Sequence, residues 1–373
     1  MPFSKFLLHL LMAMTRHHVP LKPLSLSLVF LLFALVVTPA LSVPSISLNV
    51  QSIESCTAGR YYIDVNITNL EGATLVNQTF NVTIPADRIP AYSLLKAGNV
   101  YAVDENGNPL YYWVMRRTSK VFTVFFRVPR IEANGWRVVR IYYGSDNPYR
   151  GYRKPGKLFV YFENFNRLKN YPHVDTGIFG NSQSFADGEL QVKNGRLAVN
   201  STLSSGTSKE AQLTTLTVDG SYEIVFKFRR GSDAQNSTSY PFYMFIYDPD
   251  WEGYDYIGIR EKGSRFKFEF GNDWNGRKMG SKAGKQYYLG EILVTPYNST
   301  GRVEKFSNGK TLVSHGFENY YEFFYSTVSV GFGQANGGSS TVNLLAYVDW
   351  VYVVHRVNYD AEIGEMGVEC GCN

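Results

Sequence analysis

The chain has 373 residues and carries 37 Lys and Arg against 32 Asp and Glu, a formal net charge of +5. Its first 42 residues hold Lys5, Arg16 and Lys22 and no acid, so the rest of the chain carries only +2. That balance excludes nucleic-acid binding, which needs a concentrated basic face.

In chain order, Arg16, His17, His18 and Lys22 precede an unbroken run of apolar and small residues at 24–37, which leaves through Pro39-Ala40-Leu41-Ser42. Basic region, apolar core and small-residue exit are the parts of a secretory signal. The 14-residue core falls short of the roughly 20 residues that span a bilayer. Residues 1–42 are therefore expected to be a signal peptide cleaved near Ser42, giving an extracellular or cell-surface protein. Translation from Met12 or Met14 would leave a conventional signal. The alternative is an uncleaved signal, which would be the chain's only attachment to a membrane.

The roughly 330 residues that follow suit two domains, and their local signals are those of strands. Tyr222–Arg229 alternates apolar and polar with one exception, and Arg265–Phe270 alternates throughout. A period of two buries one face of a strand and leaves the other wet. Hairpin dipeptides separate such runs at Asn106-Gly107, Asn134-Gly135, Asn194-Gly195, Asp219-Gly220, Asn308-Gly309 and Asn336-Gly337, supplying the positive φ angles that tight turns require. The only helical signal past residue 42 is a short turn near Ala91–Lys96. The expected fold is all-β: a small β-sandwich over 43–149, a linker at 150–157 and a larger sandwich over 158–373 with a C-terminal tail. The stretch Ser145–Lys157 is polar, rich in Pro and Gly and without apolar period, so the two domains are expected to separate there, with few contacts across it.

Residues 61–149 resemble a small β domain of unknown function found in secreted and surface proteins of archaea and bacteria. The matching pieces are Ile67-Thr68-Asn69, Val103–Leu110 with Tyr112-Trp113, Val128-Pro129, Ile131–Gly135 and the closing Arg140–Ser145. In this reading Trp113 anchors a core and Asn134-Gly135 makes a hairpin. Residues 158–368 resemble the concanavalin A-like, laminin-G-like jelly-roll sandwiches. The resemblance rests on Phe159–Phe165 as an opening strand, Gly188-Glu189-Leu190 with Gly195-Arg196-Leu197 as a hairpin, and Val348–Val354 as a last core strand. These likenesses imply an archaeal or bacterial source and a fold that lectins, adhesion modules and glycosidases share, so they do not choose a chemistry.

The search for chemistry finds candidates rather than a signature. A retaining glycosidase on this fold would look like E-x-D-x-E on one strand, with its carboxyls about 5 Å apart. Glu252–Asp255 has the wrong spacing, and Asp360–Glu365 lies beyond the expected final strand. Past the signal only His173, His315 and His355 remain, with no G-x-S-x-G elbow, so an enzyme is the least favoured reading. Asp248, Asp250, Glu252 and Asp255 place four carboxylates within eight residues, a candidate calcium loop, weighed against a wet hairpin tip. Trp251 and Tyr254, with Asn272, Asp273, Trp274 and Asn275, pair aromatic rings with hydrogen-bonding groups and are candidate glycan contacts, weighed against ordinary core or tip packing. Cys56 with Cys370 or Cys372 would make one bridge and leave one thiol over. Asn66, Asn77, Asn81, Asn200, Asn236 and Asn298 head sequons, candidate glycosylation sites.

The function expected from the sequence is a non-catalytic surface or adhesion protein that binds a cell-surface glycan or a surface protein. The second reading is a structural subunit of a surface layer, filament or coat, self-associating through strand edges such as Ser45–Ile53.

Overall fold

The structure is a computed structural model that describes residues 60–217, 220–231, 238–250, 253–272, 276–295, 298–318 and 327–369. The signal peptide, Ser45–Ile53 and all three cysteines lie outside the described residues. Strands account for most of the described residues. The only helical pieces among the described residues are four single 3-10 turns, one of them at Tyr92–Leu94, inside the stretch expected to turn.

The N-terminal module runs from β1 (Arg60–Asn69) and β2 (Leu75–Pro85) through β3 (Tyr101–Asp104), β4 (Pro109–Leu110), β5 (Tyr112–Arg117) and β6 (Val121–Ile131) to β7 (Trp136–Tyr143). β2, β6 and β5 form one sheet, and β1, β7, β3 and β4 lie in the other. Alternation decides which side chains meet between them. Phe80, Val82 and Ile84 of β2, Val124 and Phe126 of β6, and Ile63, Val65 and Ile67 of β1 are buried together with Ile141 of β7.

The larger module comprises β8 (Tyr161–Glu163), β9 (Ser182–Gln183), β10 (Leu190–Val192), β11 (Leu197–Leu203), β12 (Thr207–Thr217), β13 (Ser221–Arg230), β14 (Ser239–Asp248), β15 (Gly253–Lys262), β16 (Arg265–Asn272), β17 (Gly276–Lys282), β18 (Tyr288–Val294), β19 (Asn298–Lys305), β20 (Thr311–Glu318), β21 (Thr327–Asn336) and β22 (Val342–Arg356). An eight-stranded sheet is ordered β10-β11-β22-β13-β18-β19-β20, with β8 also on β22, and packs on a seven-stranded sheet ordered β17-β16-β15-β14-β21-β12-β9. This is the expected jelly-roll sandwich. Ile224, Phe226 and Phe228 of one sheet meet Phe242, Met244, Phe268 and Phe270 of the other. The alternation read in Tyr222–Arg229 and Arg265–Phe270 is the source of that core. At the β10–β11 hairpin Asn194 and Gly195 have φ of 55° and 69°, and the Lys193 N–H donates to the Arg196 carbonyl at 2.9 Å. Both central residues are left-handed, as a two-residue turn between twisted strands requires.

Four expectations are corrected. Residues beyond β22 are not a tail: β23 (Tyr359–Glu369) pairs antiparallel with β1 along nearly its whole length and completes the N-terminal five-stranded sheet. Asp360–Glu365 therefore lies in a strand rather than beyond the last one. Side chains fix β23 there. Arg140 grips Asp64 through two bonds of 2.7 and 2.9 Å and reaches Glu369 at 3.1 Å. The Tyr142 and Tyr62 hydroxyls donate to Glu369 and Glu365, each at 2.7 Å.

Trp113 is not in the core of its own module. It sits on the outer face of β5 in a second apolar cluster with Phe125, Leu158, Phe159, Val225, Leu289, Trp350 and Tyr352. That cluster joins the outer face of the three-stranded sheet to the outer face of the eight-stranded one. The stretch after residue 145 is part of the joint, since the Leu158 carbonyl accepts from Arg127 Nη2 at 3.1 Å and from the Thr79 hydroxyl. The expectation of few contacts across residues 145–157 thus fails, because both modules present an apolar outer face to the other. Cys56–Asn373 forms one compact unit.

Candidate functional site: the tyrosine face and its acidic tip

The outward face of the seven-stranded sheet is built from one parity of β14, β15, β16, β21 and β12. Tyr243, Phe245 and Tyr247 of β14 stand on it beside Tyr254 and Tyr256 of β15, because β14 and β15 pair Tyr247 with Tyr254 and Phe245 with Tyr256. The rings need room, and neighbouring glycines provide it. A Cβ on Gly333 of β21 would lie 2.4 Å from the Tyr243 ring, and one on Gly271 of β16 would lie 2.2 Å from the Tyr256 ring. Any larger residue there would push the tyrosines off the sheet.

Two glutamates share this face, and both are sealed. Glu210 of β12 accepts the Tyr243 hydroxyl at 2.5 Å, the Thr176 hydroxyl at 2.9 Å and the Thr176 N–H at 3.0 Å. Burial pushes its carboxyl above the usual range, opposed by those donors. Glu269 of β16 accepts the Tyr240 hydroxyl at 2.7 Å, the Tyr256 hydroxyl at 3.1 Å and Arg260 Nη1 at 2.8 Å. The segment before β9 covers both. Phe179 packs on Tyr240, Tyr243 and Tyr256 with ring centroids 4.2, 4.8 and 5.2 Å away. The two carboxylates are thus anchors for a tyrosine layer. Sequence reasoning missed them because they are far apart in the chain, although Glu269 is visible as the acid at the centre of a perfectly alternating strand.

At one end of this face the β14–β15 hairpin carries the acidic cluster, and parity divides it. Asp255 pairs with Ile246 and Asp248 with Gly253, so both carboxylates fall on the inner side, where each is 1% exposed. Asp250 is exposed on the turn and its N–H donates to Asp248 at 3.0 Å. Glu252 and Trp251 lie outside the described residues. Among the described residues no three His, Cys, Asp or Glu side chains converge as a metal would require. Glu252, the fourth carboxylate of the candidate calcium loop, lies outside that set, so the four are not all among the described residues. Tyr247 and Tyr254, half-buried on the outer side, are the described aromatics of the tip. Asn272 ends β16 opposite Asp255; Asp273, Trp274 and Asn275 of the adjoining tip lie outside the described residues.

The sequons are dispersed. Asn77 and Asn200 are exposed, and Asn77 sits at a positive φ of 53°. Asn66 is half-buried in the middle of β1, between β7 and β23, and Asn81 faces the joint between the modules. Asn298 begins β19. Asn236 lies outside the described residues.

Comparison with known proteins gives one partial family match and several distant structural likenesses. A family described as a domain of unknown function, DUF2341, matches residues 96–172. Those residues run from the end of the 3-10 turn region through β3–β7 and past β8, and overlap most of the stretch whose motifs pointed to a domain of unknown function. No curated protein matches the chain. Among solved structures, the CBM2 module of a Lactobacillus casei BL23 phage J-1 evolved Dit protein is 12% identical, covering 52% of this chain and 94% of its own, with a TM-score of 0.39. Lectin I of Ulex europaeus is 13% identical over 45% of this chain and 89% of its own, with a TM-score of 0.32. A laminarinase of a Flavobacterium species is 11% identical over 53% of this chain and all of its own, with a TM-score of 0.38.

Proposed function

We propose that the protein is a non-catalytic extracellular surface protein that binds glycan through the β14–β15 tip of its jelly-roll module. The observation that carries this reading is the state of the tyrosine face. Its two carboxylates are each held by three donors and covered by the Thr176–Phe179 segment, so neither is presented as an acid or nucleophile. At the rim, by contrast, Tyr247 and Tyr254 lie side by side next to the exposed Asp250. Half-buried rings can take the apolar face of a sugar, and a neighbouring carboxylate can accept its hydroxyl protons. The test is a glycan array probed with the full chain, with and without calcium, and with Tyr247→Ala and Tyr254→Ala. Binding that falls at least tenfold in both variants is expected. An array with no bound glycan, or binding indifferent to both substitutions, overturns the reading.

A further inference from the structure

A second site lies where the two modules meet. The outer faces of the three-stranded and eight-stranded sheets enclose a cavity of about 320 Å³, at the lower end of the roughly 300–1,000 Å³ of small-molecule sites. Its walls differ in kind. On the N-terminal side Thr83 and Thr123 bring their hydroxyls within 2.9 Å of each other. Phe125 beside them meets Tyr352 of the sandwich, ring centroids 5.3 Å apart, and both rings border the cavity.

The sandwich side is a line of charges produced by strand register. β13, β18 and β19 pair in order, so Glu223, Glu291, Arg302 and Glu304 fall on one face, and Arg116 of β5 closes the line. The charges compensate one another. Arg302 bonds Glu291 and lies 3.5 Å from Glu304, Arg116 bonds Glu304 at 3.1 Å, and Arg356 bonds Glu223 at 2.8 Å. Three glutamates thus stand against Arg116 and Arg302 in the lining and against Arg356 behind Glu223.

Two features point to a ligand. Arg116 is 4% exposed, yet its Nε–H has no hydrogen-bond partner among the described residues. A buried donor left without an acceptor is unfavourable, and Arg116 is one of the residues that line the cavity. The cavity also combines balanced, planar hydrogen-bonding groups with two aromatic rings and two hydroxyls. A charged ligand would upset that balance in a partly dry site. A ring bearing several uncharged hydroxyls suits it, since adjacent hydroxyls match carboxylate and guanidinium forks while the C–H face meets Phe125 and Tyr352.

We propose that this cavity binds one neutral sugar ring. The site is distinct from the β14–β15 tip and does not rest on that reading. Titration calorimetry of the full chain with glucose, galactose, mannose and N-acetylglucosamine is the test, since weak single-ring binding gives a dissociation constant on the order of 1 mM. At least one sugar is expected to bind, and its charged counterparts, glucuronate or glucosamine, at least tenfold more weakly. Thr83→Trp, at the exposed mouth, and Thr123→Phe, inside, should each abolish that binding, with folding checked by thermal unfolding, whereas Tyr254→Ala should leave it intact. No heat with any of the four sugars at 20-fold above that range, equal or tighter binding of the charged counterparts, or binding that survives Thr83→Trp in a folded protein overturns the proposal. Loss of binding in Tyr254→Ala would place the sugar at the tip instead.

Discussion

Trp113 of the N-terminal module and Trp350 of the jelly-roll module meet edge to face, ring centroids 5.3 Å apart at 85°. The two are separated by most of the chain, and together with Phe159 and Tyr352, stacked at 4.4 Å, they make the joint an apolar core in its own right.

Removing Trp113 should therefore cost about as much as a core aromatic deletion, about 3–5 kcal/mol, although it lies outside its own module's core. Trp113→Ala is expected to lower the urea midpoint and to split the transition, with far-UV dichroism and tryptophan fluorescence no longer coincident. An unchanged midpoint would show that the joint contributes nothing to stability.

The docked joint also bears on proteolysis. Wild-type protein should resist cutting at residues 145–157, because Leu158 and Phe159 are buried beneath both sheets. Deleting residues 359–373 removes β23, bares the edge of β1, strips Tyr62 and Tyr142 of their carboxylate partners and leaves Arg140 only Asp64. The melting temperature is expected to fall by roughly 5–10 °C, with association through the open edge visible by size-exclusion chromatography. A monomeric truncation with an unshifted melting temperature would argue that β23 is dispensable.

Glu223 gives a pH dependence with a definite sign. Burial, reinforced by Glu291 on the neighbouring strand, raises its carboxyl to about 7, while Arg356 and Arg302 pull the other way. A carboxyl whose folded pKa is raised holds its proton more tightly in the native state. Its contribution is fully present below the unfolded value near 4.5 and is lost as pH rises through about 7. Urea unfolding of wild type should thus lose on the order of 1–3 kcal/mol between pH 5 and pH 8 that Glu223→Gln retains. Parallel losses in the two proteins would assign the dependence to other groups.

At the tyrosine face, Glu269→Ala would leave the buried hydroxyls of Tyr240 and Tyr256 and the Arg260 guanidinium without that acceptor. The expected cost is about 3–5 kcal/mol, with Glu269→Gln milder because its amide oxygen still accepts one bond. Chemical denaturation of the two variants checks the order. Equal and small losses would mean that the glutamate is not the anchor its hydrogen bonds describe.

The cavity, the joint and the tip were legible in the sequence to different degrees, for a physical reason. Alternation and turn chemistry are local, so Tyr222–Arg229, Arg265–Phe270 and the Asn194-Gly195 hairpin could be read directly, and with them the all-β class and the sandwich core. The one apolar residue that broke the first alternation, Val225, was already the trace of the joint, since an outward-facing valine is sensible only if that face is covered by Trp113, Phe125 and their neighbours. Nothing local says what covers it. The acidic loop shows the converse limit: four carboxylates close in sequence read as a cluster, but the pairing of Asp255 with Ile246 turns Asp248 and Asp255 inward and leaves Asp250 on the turn. Likewise Tyr359–Glu369 carries an ordinary strand pattern, and only the tertiary structure seats it against β1, some 300 residues away, as in the pairing of Arg60 with Glu369. The sequence by itself determined which residues alternate and where the chain turns. Which faces meet, which strand closes the first sheet and where the charges of the cavity line up depended on contacts between distant segments, whose energies no local window contains.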